Sequence, residues 1–217
     1  MNFKLVVFLL CFGLSNAPNH FKKDSLLINK SFSFSKNNNS YKIFTDPGYH
    51  IINNGEIKTN KNSMIVSIDK NGKFLGYRDL IYNNQKSYIL SGTRLQNNDF
   101  LLTGYTRKRN DEWADILLIR LDSNYNSVWM KSYGAMNADD KGYSAVELNQ
   151  NEFWVLGHTK TTKNGIILLK VDLDGNEKWF SFLPKIKCTF ANNMIKASNS
   201  ELFISGTYKK RYCTRCF

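Results

Sequence analysis

Short apolar segments alternate with polar turns along most of this chain. Three segments share one order of features: an apolar strand, an aspartate, a turn rich in Asn or Gly, and a second strand. They lie at residues 63–75, 114–129 and 165–179. Their aspartates, Asp69, Asp122 and Asp172, recur about every 50 residues. Because Asp, Asn and Gly favour tight turns, each segment predicts a β-hairpin whose aspartate side chain caps nearby backbone amides.

Two further strand-like segments precede each hairpin. The nearer one contains a glycine, at Gly104, Gly157 or Gly206, where we expect close backbone approach between crowded strands. These nearer segments span residues 100–106, 154–159 and 203–207, with a degenerate copy at 50–54. The farther ones span residues 88–93, 143–148 and 194–197. No segment between these strands has the apolar spacing of an amphipathic helix, so each unit is predicted to be four short antiparallel strands.

A four-stranded unit of this size cannot bury both faces alone and must stack on its neighbours. Such units, repeated every 40 to 50 residues or so, are typical of β-propeller blades. We predict an all-β fold of about 3.5–4 blades. The predicted blades are residues 33–86, 87–142, 143–192 and a partial 193–217, with 26–33 a candidate closing strand.

The ends of this domain leave two alternatives open. Residues 28–32 repeat the pattern of residues 129–133, which suggests an outer strand donated to the last blade. The tail at residues 208–213 lacks the expected strand, aspartate and turn. The domain is therefore either a compact four-bladed ring or a truncated, incomplete ring that self-associates. Trp129 and Trp179 occupy the same position in successive units, where each is expected to wedge between blades.

At these residues the chain resembles secreted bacterial tandem-repeat β-propellers. Their repeats run roughly as Leu-Ala-Gly-Tyr-Thr, Leu-Ile-Lys-Leu-Asp, an Asn-Gly turn and Trp-x-Lys-x-Tyr-Gly. Residues 101–106, 118–122 and 129–134 are similar to this order, and residues 156–159, 169–172 and Trp179 keep part of it. The resemblance is strongest over residues 87–184 and extends in broad shape to quinoprotein-like and WD-like propellers. It implies a propeller without an assigned activity, and no residues match a quinoprotein cofactor site.

The first 17 residues have the features of a secretory signal peptide. Lys4 follows the start, an apolar stretch covers residues 5–14, and Ser15 and Ala17 are small residues before a cleavage site. The apolar stretch is too short to span a bilayer comfortably. We predict an exported protein, located in the periplasm, at the cell surface or outside the cell, with residues 18–217 as its mature domain. Acylation at Cys11 is the weaker alternative, because Leu10 is larger than the residue usually found there.

The 217 residues carry a formal net charge of +12, from 30 Lys and Arg against 18 Asp and Glu. The basic residues are scattered singly, with no basic stripe and no motif for reading nucleic acid. We therefore expect a solvated basic surface and no specific nucleic-acid partner. Binding to a polyanion is a lesser alternative, which added salt would abolish.

Export leaves three cysteines, Cys188, Cys213 and Cys216, in an oxidising compartment. The last two have the spacing of a redox motif or half a zinc site, but no strand-to-helix junction and no further ligands accompany them. A disulfide or an incidental basic tail is the favoured interpretation.

Other polar residues offer weak candidates for chemistry. Asp139 with Asp140, and Asp111 with Glu112, are acid pairs that could act on a glycosidic bond if they converged across a cleft. The start of a calcium loop at residues 172–176 lacks the acidic twelfth residue, so a hairpin turn is favoured. His158 and His50 are isolated and are expected at the surface or rim, and His20 lies in the lead before the first unit. Tyr105, Trp113 and Trp154 could stack on sugars, but we expect them mostly in the cores of the blades.

These features predict no catalytic, cofactor-binding or metal-binding residue. The favoured function is a binding or structural scaffold with an unknown protein or glycan ligand, without a transmembrane segment once the signal is removed. The alternative is a secreted, glycan-acting enzyme that uses loop carboxylates near the channel.

Overall fold

The structure is a computed structural model. It describes residues 41–45, 49–53, 63–69, 71, 73–107, 113–149, 151–160, 165–183, 190–197, 201–208 and 211–216. The signal segment, the candidate closing strand 26–33, His20, Asp111, Glu112 and Cys188 lie outside these residues. The chain divides into two compact units, Met1–Leu80 and Ile81–Phe217.

The described residues form fifteen strands in four antiparallel sheets, and none of them lies in a helix. The all-β prediction is therefore confirmed. The first sheet, in the first unit, contains β1 (Tyr41–Thr45), β2 (Tyr49–Asn53), β3 (Met64–Ile68) and β4 (Phe74–Asp79). The second contains β5 (Lys86–Arg94), β6 (Phe100–Arg107), β7 (Asp115–Leu121) and β8 (Ser127–Tyr133). The third contains β9 (Asp139–Asn149), β10 (Glu152–Lys160), β11 (Gly165–Asp172) and β12 (Glu177–Phe182).

The fourth sheet contains β13 (Phe190–Lys196), β14 (Leu202–Tyr208) and β15 (Arg211–Cys216). The prediction that the tail lacks a strand was wrong, because Arg211–Cys216 pairs along its whole length with β14. The basic residues in this segment do not give the apolar pattern of a strand. Pairing with the edge of β14 stabilises the strand instead. In every sheet the strands follow chain order, so each is a meander of hairpins.

Two irregularities recur at the same places in successive sheets. The third and fourth strands shift register just before each turn aspartate, between Ser67 and Ile68, Arg120 and Leu121, and Lys170 and Val171. The first and second strands of the second, third and fourth sheets shift beside the repeated glycine. Repeated β-bulges of this kind bend each strand in the same way and increase its twist.

The repeated glycines lie where strands approach closely, as predicted. A Cβ atom on Gly104 would overlap the carbonyl oxygen of Tyr88, and one on Gly206 would overlap that of Phe190. At Gly157 an added Cβ would lie 2.9 Å from the carbonyl oxygen of Lys141. Any side chain at these positions would push the first strand away from the second.

Within the second unit, successive sheets pack face to face. Strand β9 packs on β5, β6 and β7, and strand β13 packs on β9, β10 and β11. One buried cluster joins the second and third sheets and includes Leu118, Phe153 and Leu169. Another joins the third and fourth sheets and includes Leu168, Met194 and Ile204. The third sheet is thus buried on both faces, which explains the continuous apolar run of β11.

Candidate functional site

The three aspartate turns adopt one local geometry. Each aspartate Oδ1 accepts hydrogen bonds from the backbone amides two and four residues later, as in Asp122 with Asn124 and Asn126, both at 2.8 Å. The Asp69 and Asp172 turns repeat these two bonds. The predicted capping is therefore confirmed. In the Asp172 turn, Oδ2 also accepts from the side-chain amide of Asn176, so both carboxylate oxygens are used within the hairpin.

Four side chains of the second sheet hold the Asp172 turn of the third sheet. Trp129 Nε1 and Arg120 Nη1 both donate to the carbonyl oxygen of Leu173, at 2.8 and 2.9 Å. Tyr133 donates its hydroxyl to the carbonyl oxygen of Gly175 at 2.6 Å, and Lys131 Nζ donates to Asn176 Oδ1 at 2.9 Å. We call Arg120, Trp129, Lys131 and Tyr133 the turn clamp.

Burial reinforces this clamp. It raises the pKa of the Tyr133 hydroxyl, and the nearby charges of Asp172 and Glu177 raise the pKa further, so the hydroxyl keeps its proton and remains a donor. An ion pair with Asp99 Oδ2 at 2.8 Å orients the Arg120 guanidinium, and both side chains are mostly buried. The predicted wedge between sheets is thus confirmed for Trp129.

The third sheet carries part of the same arrangement at matching positions. Lys170 replaces Arg120 and pairs with Glu152 at 2.7 Å, as Arg120 pairs with Asp99. Trp179 matches Trp129 in strand register, but 42% of its surface is exposed, and its ring packs on Trp154 with centroids 5.6 Å apart. The prediction that Trp179 wedges between sheets was wrong, because within the described residues no aspartate turn of the fourth sheet covers it.

Partly buried aromatic and charged residues gather where β5, β9 and β13 begin, at the end of the sheets opposite the aspartate turns. Tyr88 and Tyr105 stack across strands with ring centroids 4.8 Å apart, and Lys141 Nζ lies 4.9 Å from the centre of the Tyr105 ring. Asp139 bridges Arg107 at 2.8 Å and Lys141 at 3.2 Å. We call these five residues the aromatic–charged rim. Burial raises the pKa of Tyr105, and the neighbouring Tyr88 raises it further, so this ring is neutral at physiological pH.

The rim continues onto the next pair of sheets through Phe190, which makes ring contacts with Tyr143 at 4.8 Å and with His158 at 5.4 Å. His158 opposes Lys141 in the strand register, as Tyr105 opposes Tyr88, so His158 takes the position of Tyr105. The backbone of His50 lies in β2. Trp154 is partly buried, whereas Trp113 is 41% exposed, so the expectation that Trp113 lies in a core was wrong.

Asp139 and Asp140 do not form a catalytic pair. Asp140 has no solvent exposure, and its Oδ2 accepts from the Ala135 amide at 2.8 Å. Burial raises the pKa of Asp140, and the charge of Asp139 adds to this, while the hydrogen bond from the Ala135 amide opposes it. Asp139, with 13% of its side chain exposed, is paired with the cations of Arg107 and Lys141. The buried carboxyl therefore orders the loop before β9 and has no access to a substrate in a cleft.

The backbone of β15 separates the two cysteines of the C-terminal motif. Cys213 pairs with Gly206 and Cys216 with Phe203, so both lie within one extended strand. Three residues of strand span about 10 Å, beyond the roughly 7 Å between Cα atoms that a disulfide tolerates. A bond between Cys213 and Cys216 is incompatible with this strand.

In the part of the chain that the structure describes, no three His, Cys, Asp or Glu side chains are placed to hold a metal ion. The same residues contain no helix long and apolar enough to span a membrane.

Neither the turn clamp nor the ion pairs of the rim were predicted from the sequence. A signal was present for Arg120 of the clamp: Asp99 and Glu152 each precede a phenylalanine, and Arg120 and Lys170 each lie two residues before a turn aspartate. A charge pair that repeats at fixed offsets indicates cross-strand contact. Arg107 and Lys141 gave no such repeated signal.

Comparisons with known proteins add no relative: no family model matches the chain, and the search of curated proteins gives no significant match.

Proposed function

We propose that the chain is an exported protein whose residues 18–217 form a β-propeller-type repeat domain, and that it serves as a binding or structural scaffold. The observation that supports this most is the repeated stacking of sheets. The first strand of the third sheet packs on the face of the second, and the first strand of the fourth packs on the face of the third. A propeller repeats this relation around its axis.

The ring requires an outer strand for its last sheet. We propose that residues 26–33 supply it, because residues 28–32 repeat the pattern of β8 residues 129–133. If the ring is incomplete instead, chains are expected to associate through open sheet edges. Sedimentation velocity over a range of concentrations distinguishes a closed ring from an incomplete one. A closed ring should keep the mass of a monomer at every concentration, whereas an incomplete ring should form larger species as the concentration rises.

The aromatic–charged rim is the surface we propose for ligand binding. Aromatic rings, two cations and one carboxylate offer stacking, hydrogen bonds and charge at one end of the stacked sheets. Sites that combine apolar surface with a few fixed polar groups are typical of ligand recognition. The ligand proposed is a glycan or a protein.

Glycan and protein arrays probed with the mature chain test this role, with each hit then measured against two variants. Lys141→Gln alters the rim, and Lys178→Gln is its matched control at the opposite end, because each lysine pairs with an aspartate at 3.2 Å. We expect Lys141→Gln to weaken binding at least tenfold and Lys178→Gln to leave it unchanged. Equal effects of the two variants would place the ligand elsewhere, and an array without hits would favour the structural role.

Export is tested separately by expressing the full chain in a host with a secretory pathway. Mass spectrometry of the product is expected to show a chain that begins at Pro18. A cytoplasmic product that keeps Met1–Ala17 would contradict export.

The alternative of a glycan-acting enzyme receives no support from the described acids. A retaining or inverting mechanism needs two carboxyl groups that face one cleft. Asp140 is buried and Asp139 is held in ion pairs, so this pair does not meet that requirement.

A further inference from the structure

A cavity of about 350 Å³ lies between the second and third sheets, at the end that carries the aspartate turns. Leu95, Phe153 and Leu173 supply its apolar walls. Gln96, Asn97, Arg120 and Glu147 supply its polar walls. Its volume falls within the range of small-molecule sites, roughly 300–1,000 Å³. It is separate from the aromatic–charged rim, which lies at the opposite end of the strands.

Most polar groups in the wall already have partners. The Arg120 guanidinium donates hydrogen bonds from Nε and Nη2 to Asp99 Oδ2, and from Nη1 to the carbonyl oxygen of Leu173. The Asn97 side chain makes two hydrogen bonds with Asp99: its Nδ2 donates to Asp99 Oδ2, and its Oδ1 accepts from the Asp99 backbone amide. The positive charge of Arg120 is therefore balanced by Asp99, which approaches to 2.8 Å.

Among the charged residues of the wall, Glu147 differs from Arg120. Its Oε2 accepts from the Gln96 amide at 2.7 Å, and within the described part of the chain no lysine or arginine forms an ion pair with it. Its second oxygen is thus available to accept a further hydrogen bond. An acidic side chain without an ion-pair partner in the wall favours a cation over an anion at this position.

We infer that this cavity binds a small organic cation, a primary ammonium group on an apolar body. The ammonium group would form a charge-assisted hydrogen bond with Glu147, and the apolar body would contact Leu95, Phe153 and Leu173. The ligand is either a free amine or the side chain of a lysine on a partner protein, since both present the same group.

Trp129 reports on the cavity because its indole donates to the carbonyl oxygen of Leu173, a wall residue. The mature chain, labelled with nitrogen-15, is titrated with phenethylamine, 2-phenylethanol and phenylacetate while the Trp129 indole resonance is followed. We expect saturable binding of phenethylamine and at least tenfold weaker binding of the alcohol and the acid. Similar affinities for the three ligands, or no saturable shift with phenethylamine, would overturn the inference.

Two variants test whether the Glu147 carboxylate binds the ammonium group. Glu147→Gln keeps an oxygen for the Gln96 amide and removes only the charge, so the fold is retained and the other resonances keep their positions. It is expected to weaken phenethylamine binding at least tenfold. Glu201→Gln, at an exposed position in the turn before β14, is the control and should leave the affinity unchanged. An unchanged affinity in Glu147→Gln would refute the site.

The source of the cation is decided with Nα-acetyl-lysine-N-methylamide. If it binds more tightly than phenethylamine, and Glu147→Gln abolishes this, the site takes a lysine side chain of a partner. Tighter binding of phenethylamine identifies a free amine as the ligand.

Discussion

The interface between the second and third sheets differs from the interface between the third and fourth sheets at the end that carries the aspartate turns. The difference lies in the contacts that the repeated tryptophan makes there. In the first interface, Trp129 and Arg120 both reach the Leu173 carbonyl oxygen, and the tryptophan is partly buried. In the second, Trp179 occupies the matching position but is 42% exposed and packs on Trp154 of its own sheet.

The difference shows that a repeated residue does not by itself guarantee a repeated contact. Trp129 and Trp179 hold the same register position, opposite Arg120 and Lys170, yet among the described residues only Trp129 donates a hydrogen bond to a turn of the next sheet. The receiving turn matters equally: Gly175, with φ of +73°, leaves room for the indole, and an added Cβ would lie 3.1 Å from the ring. The contact therefore needs both the tryptophan on one sheet and the glycine in the facing turn.

The largest effect is expected in the buried cores of the two interfaces. Leu118 and Leu168 hold matching positions four residues before a turn aspartate, with exposures of 0% and 4%. Leu118→Ala should lower the free energy of unfolding by about 3 kcal/mol, and Leu168→Ala by about 2 kcal/mol, because Leu168 is slightly less buried. Chemical denaturation measures both. A larger loss for Leu168→Ala would reverse the ranking of the two interfaces.

Gly175→Ala should lower the free energy of unfolding by about 2 kcal/mol, because the backbone is left-handed at this position and the added Cβ would crowd the Trp129 ring. The Trp129→Phe background separates the two causes, since the smaller ring relieves the crowding and leaves the backbone strain. Part of the cost is thus expected to disappear in the double variant. Strictly additive losses would show that Trp129 does not lie on this turn.

Trp129→Phe should cost about 1 kcal/mol, because it removes one donor to Leu173 while Arg120 still satisfies the carbonyl oxygen. Trp179→Phe should change the free energy of unfolding by less than about 0.5 kcal/mol, as is usual at exposed positions. Denaturant titrations at constant pH measure both changes in the free energy of unfolding. Equal costs would mean that the two tryptophans have equivalent environments.

The smallest effect concerns pH. Hydrogen bonding from the Asn176 backbone amide, aided by its side chain and by Lys178, lowers the pKa of Asp172 from 3.8 to about 2. Because the folded-state pKa is depressed, this stabilisation is present above about pH 4 and is lost as the pH falls towards 2. Asp172→Asn should flatten the loss of thermal stability between pH 4 and 2. An unchanged slope would show that other carboxylates dominate acid unfolding.

How much of this could be predicted depends on how local each feature is. The aspartate turns follow from residues within a few positions of each other, and the close approach at Gly104 follows from a glycine that recurs in successive units; both predictions were right. The strand at Arg211–Cys216 was missed because pairing with β14, and no apolar alternation of its own, defines it.

The candidate site was harder to predict because its parts come from different sheets. Asp139 and Asp140 are neighbours in sequence, but pairing with Arg107 and burial beside Ala135 give them opposite environments. The exposure of Trp179 likewise depends on what covers it and cannot be derived from its place in the repeat. Glu147 carried no motif, and only the cavity around it makes it a candidate.

The most direct test of the stacked, clamped sheets is hydrogen exchange of the tryptophan indoles. The four indole resonances of the nitrogen-15-labelled chain can be assigned with single Trp→Phe variants. We expect the Trp129 indole proton to exchange at least tenfold more slowly than that of Trp179, because Trp129 donates to the Leu173 carbonyl oxygen across the interface at 2.8 Å. Equal exchange rates, or faster exchange at Trp129, would contradict this expectation.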